Sequence, residues 1–156
     1  MFTSVTWNNI FIKGRSSVLD NIEGEFSLRF RSLTLDRTST TELSIGVDSD
    51  GDLMNEFLLK MSDAYRVHIT CKYEDDSMDI GGTFVCKNGT VLKDLSYSYL
   101  VHRYQEDGID GIASDVEEYA KEGDTFEQFM SEQGLWSFVT RDDRELIYAI
   151  FYQQEL

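Results

Sequence analysis

Arg66-Val67-His68-Ile69-Thr70-Cys71-Lys72-Tyr73, Glu74-Asp75-Asp76-Ser77, Gly81-Gly82-Thr83-Phe84-Val85-Cys86-Lys87 and Asn88-Gly89 follow one another in the middle of the chain, and their reading decides the fold. In the first run Val67, Ile69, Cys71 and Tyr73 alternate with polar residues, the period of a strand with one buried face. The acidic quartet that follows is a turn. Gly81–Lys87 repeats the strand pattern, and Asn88-Gly89 tolerates the positive φ of a two-residue type I′ hairpin. Thr90–Leu100 then reads as the returning strand. Three strands joined by short turns predict an antiparallel meander.

Upstream, Val5–Lys13 is β-branched and aromatic and stops at Gly14, which predicts another strand. Ser16 or Ser17 caps a short helix through about Ile22, with Asp20 near its positive end. From Glu25 to Leu33, Phe26, Leu28 and Phe30 alternate with Ser27, Arg29 and Arg31, so that stretch reads as a strand. Thr34 to Asp50 is rich in Thr, Ser and Asp and reads as a loop with one short strand at Glu42–Val47. A helix starts near Asp50 to Asp52, with Leu53, Met54, Phe57, Leu58 and Met61 on one face.

Downstream, the spacing turns helical. Ile109, Ile112, Val116, Tyr119 and Ala120 make an apolar stripe ending at Gly123. Asp124 and Glu127 fit a capping box for a second helix carrying Phe126, Phe129 and Met130, closed by Gly134. Leu135–Val139 reads as extended. Thr140 with Asp143 caps a third helix that presents Leu146, Ile147, Ile150 and Phe151.

With 156 residues, 41% hydrophobic and 13% aromatic, the chain has enough apolar matter for one folded domain, and the absence of proline removes Pro-rich linkers. Cys71 and Cys86 are the only cysteines and read as buried free thiols, not a disulfide framework. Neither a signal-peptide pattern nor a membrane-length apolar stretch is present, so the expectation is a soluble cytoplasmic protein of a bacterial host cell.

The formal net charge is −15, from 29 acidic residues against 14 Lys plus Arg. Such a field repels nucleic-acid phosphates and anionic lipid and attracts basic surfaces. It also serves simply to keep a compact protein in solution. Residues 101–156 hold 14 of the acids and 4 of the bases, so the imbalance is concentrated there.

Three motifs suggest chemistry of their own. Asp48-Ser49-Asp50-Gly51-Asp52 invites calcium, but the EF-hand register starting at Asp48 puts Leu53 where glycine is needed. The register starting at Gly46 loses the first ligand and puts Phe57 where the bidentate Glu belongs. An acidic turn capping the next helix explains the same residues. His68-Ile69-Thr70 has the His-x-Thr form of two-histidine phosphodiesterases, yet His102-Arg103-Tyr104 does not supply the second copy. Gly81-Gly82 would let a backbone approach a ligand, or mark a bulge or tight bend. Zinc pairs, the Gly-x-Ser-x-Gly elbow and phosphate-cradling glycine loops are absent from the sequence. No catalytic residue, metal site or cofactor is assigned.

Tyr73-Glu74-Asp75-Asp76, Gly81-Gly82-Thr83-Phe84 and Lys87-Asn88-Gly89, preceded by Trp7-Asn8-Asn9-Ile10-Phe11-Ile12-Lys13-Gly14, resemble the YubB-type ferredoxin-like domain of phage and plasmid proteins. The Trp–Asn spacing differs from that family's usual one, and its Pro-containing stretch after the second strand is missing. The resemblance implies a split β-α-β sheet packed on helices and an origin on a mobile element. It carries over no catalytic residue.

The expectation is therefore an α+β domain spanning residues 1–156, with an antiparallel ferredoxin-like part over 1–104 and an acidic helical extension over 105–156 packed on it. Its expected function is inhibitory binding to the basic surface of a host nucleic-acid-handling or defence protein, in the manner of a DNA mimic. Asp110, Asp115, Glu117, Glu118, Glu122 and Glu127 are the expected contact residues, with no direct nucleic-acid or membrane binding. Two alternatives stand beside it. One is a small nucleotide- or ligand-processing enzyme using His68. The other is a ferredoxin-like RNA-binding module, to which Arg29, Arg31 and Tyr97 or Tyr99 point.

Overall fold

A computed structural model describes residues 5–153 of the chain. It forms two compact units, Met1–Ser96 and Tyr97–Leu156.

The first unit runs β1 (Trp7–Lys13), α1 (Ser16–Arg29), β2 (Leu33–Ser39), β3 (Glu42–Asp48), α2 (Asn55–Tyr65), β4 (His68–Asp75), β5 (Ile80–Lys87) and β6 (Thr90–Tyr97), the last reaching the boundary. The strands form one antiparallel sheet in the order β2-β3-β1-β4-β5-β6. Its first four strands and two helices follow the β-α-β-β-α-β order, consistent with the ferredoxin-like class. The β4-β5-β6 meander is present, with Asn88 at φ 50° and Gly89 at φ 80° as its Asn-Gly turn requires.

Alternation decides which side of the sheet meets α1 and α2. Ile10 and Ile12 of β1, Leu43, Ile45 and Val47 of β3, and Ile69, Cys71 and Tyr73 of β4 are buried in one core with Leu19, Ile22 and Phe26 of α1 and Leu58 and Met61 of α2. Gly82 is not bulged. It lies opposite Tyr73, and a Cβ there would collide with the Leu95 backbone carbonyl and sit 2.6 Å from the Tyr73 hydroxyl, so the glycine makes room for both. Cys71 and Cys86 are buried free thiols.

Four expectations in this unit are corrected. Glu25–Leu33 is not a strand, because α1 continues to Arg29. Leu19, Ile22 and Phe26 recur at helical spacing and are buried, whereas Leu28, counted in the alternation, is 90% exposed. Neither Ser16 nor Ser17 caps α1; Arg15 holds the N-cap position without a side-chain cap. The supposed loop after Thr34 contains β2, an edge strand whose Arg37 reaches Asp20 and Glu23 of α1. The second helix begins at Asn55, not near Asp50, because Asp50 and Gly51 take positive φ in a turn that the Asp48 carboxylate closes on the Asp50 amide.

The second unit consists of α3 (Tyr99–Asp107), a 3₁₀ turn (Gly108–Gly111), α4 (Ala113–Lys121), α5 (Phe126–Glu132) and α6 (Arg141–Phe151). Val101, Ile112, Val116, Phe129, Met130, Leu135 and Ile147 are in its core. Phe129 packs between Tyr119 and Phe151. Trp136 meets the Phe126 ring edge-on and lies under the Arg144 guanidinium. Thr140 caps α6 by accepting from the Asp143 amide, as read from sequence.

Here too the structure corrects details. Tyr99–Leu100 opens α3, capped by Ser98, and does not continue a strand. The capping box of α5 is Thr125 with Gln128, one residue beyond Asp124 and Glu127. Leu135–Val139 is a turn closed by the Phe138 and Val139 amides on the Leu135 carbonyl. Among the described residues no helix is long and apolar enough to cross a membrane.

Candidate functional site

The six acidic residues singled out in sequence fall on three successive elements of the helical unit. Asp110 is on the 3₁₀ turn, Asp115, Glu117 and Glu118 are on α4, Glu122 is its C-cap, and Glu127 is in the first turn of α5. Val116 is fully buried, whereas Glu117, Glu118 and Glu122 are exposed. Asp110 and Glu127 are exposed as well, whereas Asp115 is half-buried. Lys121 is the basic residue among them and pairs with Glu118 at 3.6 Å. Both partners are exposed, so the pair neutralises little of the surface. Glu127 also favours the positive end of α5.

The sheet unit offers a different kind of surface. On the face away from the helices, register aligns Asp48, Trp7 and Glu74 across β3, β1 and β4, and then Ser44, Phe11 and Thr70. Glu42, Lys13, His68 and Lys87 form a further row across β3, β1, β4 and β5. Trp7 is 37% exposed and Phe11 46%. The Trp7 indole donates to the Asn9 carboxamide at 3.2 Å, and its ring covers Gly46, where a Cβ would lie 2.9 Å from it. Trp7 and Phe11 were not among the residues expected on this face. The signal for them was present, since both alternate with buried Asn8, Ile10 and Ile12.

The residues expected for an RNA platform are elsewhere. Arg29 lies on α1 with its guanidinium 5.0 Å from the centre of the Phe57 ring, Tyr97 packs on Phe138 at the end of β6, and Tyr99 opens α3. Arg31 is in the connection between α1 and β2. His68 is half-buried at the start of β4, and His102, buried on α3, is not part of a second His-x-Thr strand.

One end of the sheet buries a polar cluster. Asn8 donates to the carbonyls of Thr6 and Val47 and to Ser49 Oγ, and its Oδ1 accepts from the Cys71 thiol. Asp75 accepts from Thr6 Oγ1 at 2.7 Å, from Ser77 Oγ at 2.6 Å and from the Met78 amide. Thr6 and Asn8 are fully buried and Asp75 nearly so. These bonds account for the side chains without a ligand and fix the Glu74–Ser77 turn. Among the described residues no group of three or more His, Cys, Asp or Glu is arranged to hold a metal ion. No family model, curated protein or solved structure matches the chain.

Proposed function

We propose that this chain is a phage- or mobile-element-encoded binding protein that inhibits a host nucleic-acid-handling or defence protein through its acidic helical unit. The observation that carries this reading is the exposure of Glu117 and Glu118 on α4 and of Glu122 at its C-cap while Val116 is buried, with Glu127 exposed on the next helix. Carboxylates held on short, well-packed helices present fixed negative charge, the feature by which a basic groove recognises nucleic-acid phosphates. The protein acts by occupying such a groove and not by chemistry.

The test is competition. A basic host protein captured by the chain is loaded with labelled duplex DNA, and displacement is measured at low and raised salt. The wild-type chain displaces the DNA and loses potency steeply between about 0.05 and 0.2 M salt. The triple variant Glu117→Lys, Glu122→Lys, Glu127→Lys, folded by circular dichroism, does not displace it. Displacement by the variant equal to wild type rejects the proposal.

A further inference from the structure

We propose that the open cavity at the Lys13–His68–Lys87 end of the sheet binds the phosphate group of a small phosphorylated organic molecule. Register alone brings three of its residues together, because Lys13 of β1 lies opposite His68 of β4, which lies opposite Lys87 of β5. Adjacent strands are about 4.8 Å apart, so the three side chains stand side by side on the outer face. Arg15 follows where β1 turns into α1, and Arg66, at φ 55°, turns α2 into β4. The resulting cavity of about 530 Å³ is lined by Lys13, Gly14, Arg15, Thr41, Arg66, His68 and Lys87.

The charge of this wall runs against that of the chain. Residues 1–96 hold 15 acidic and 10 basic side chains, yet four of the basic ones line the cavity and no carboxylate does. Glu42 approaches Lys13 at 4.0 Å and Asp63 holds Arg66 at 3.0 Å, both exposed pairs of low strength. Arg15 and Lys87 have no ion-pair partner among the described residues. Bringing these cations onto one wall sets like charges against one another, and a bound anion relieves that repulsion. The acids of the rest of the molecule are screened beyond about 8 Å at physiological ionic strength. The start of α1, which has neither a side-chain cap nor an acid in its first turn, adds positive potential without making the site by itself.

A phosphate monoester suits this wall better than a carboxylate. It carries close to two charges and three terminal oxygens, enough to engage several of these cations at once. The volume is in the range of small-ligand sites and exceeds what one phosphate fills, which leaves room for an organic group. A nucleic-acid strand fits less well. Away from this row, its path across the sheet would meet Asp36, Asp48 and Glu74, the last two directly flanking Trp7.

The test uses the full chain and is independent of the acidic surface. Inorganic phosphate, phenyl phosphate and adenosine monophosphate are titrated against it, with adenosine as the uncharged control and a single-stranded RNA oligomer as the polymer. At least one ester gives saturable chemical-shift changes at Gly14, His68 and Lys87, and adenosine gives none. Arg15→Gln with Lys87→Gln, exposed positions that leave the melting temperature unchanged, weakens the ester about tenfold or more. Glu117→Gln with Glu122→Gln leaves it unchanged. The proposal is overturned by any of three results: no saturable response, undiminished binding by the double variant, or ester binding no tighter than inorganic phosphate. RNA bound at least tenfold more tightly than the esters, and lost in Phe11→Ala, replaces the small molecule with a strand.

Discussion

The two units of this chain solve the same burial problem with opposite treatments of polar groups. The sheet unit takes polar side chains inside, since Thr6, Asn8, Ser49 and Asp75 are buried in a mutually bonded cluster at one end of the strands. The helical unit packs Phe126, Phe129 and Phe151 among aliphatic side chains, keeps only His102 and Gln133 as buried polar side chains among the described residues, and exposes most of its carboxylates. The charge follows the same division. Residues 97–156 hold 14 acids against 4 bases, a far larger excess than in the sheet unit. The −15 of the chain is thus a regional property. One unit buries a hydrogen-bonded polar cluster, and the other carries most of its carboxylates on exposed positions.

The contrast is open to experiment. The largest effect is expected for Phe129→Ala, which empties the space between Tyr119 and Phe151. It costs about 3–5 kcal/mol, and accelerated amide exchange should be concentrated in Tyr97–Gln153. A loss under about 1 kcal/mol would mean that the aromatic centre does not hold this unit together.

Asp75→Ala tests the other side of the comparison. It leaves Thr6 Oγ1, Ser77 Oγ and the Met78 amide without their acceptor, a destabilisation of about 2–4 kcal/mol in urea unfolding. A neutral result would show that the buried cluster is dispensable for the sheet.

A smaller, pH-dependent effect belongs to the sheet unit alone, because the helical unit has no cysteine. Burial, with a lesser contribution from Cys86, pushes the Cys71 thiol from 9.0 up to about 12. Between those values the unfolded chain has released this proton and the folded chain has not, so stability is full below pH 9 and falls as pH rises. The slope approaches about 1.4 kcal/mol per pH unit for one thiol. Urea midpoints at pH 8 and pH 10 should fall further apart in wild type than in Cys71→Ala. An equal drop in both would remove Cys71 as the cause.

Elements with one clean buried face were legible in the sequence. In β1, β4 and β5, apolar side chains alternate against a core, so the central strands and the Asn88-Gly89 hairpin could be read directly. Strand β2 was not, because it is an edge strand whose apolar alternation ends after Leu33 and Leu35, with only Leu33 and Arg37 half-buried. Helix α1 was cut short for the opposite reason. Phe26, Leu28 and Phe30 mimic a strand period, while the period that matters, Leu19-Ile22-Phe26, begins earlier. The acidic positions were legible as charge but not as geometry. Asp110 and Asp115 read from sequence as contact residues behind the four glutamates, and the structure puts Asp115 half-buried on α4 and Asp110 on a 3₁₀ turn. At His68 the sequence singled out the histidine for a ligand-processing alternative but not the cations that surround it. The bases of this cavity come from three segments, Lys13 and Arg15 at the end of β1, Arg66 after α2 and Lys87 on β5, and each looks like an ordinary solvated residue until strand register brings them together.

The placement of the two tryptophans has a practical consequence. Trp7 sits over Gly46 on the outer sheet face, and Trp136 lies between the Phe126 edge and the Arg144 guanidinium in the helical unit. The chain has no third tryptophan, so each unit contains its own intrinsic fluorophore. Trp7→Phe and Trp136→Phe therefore yield two single-tryptophan proteins. The emission of one reports ligands and unfolding at the sheet face, and that of the other reports what docks on the helices, with no label attached.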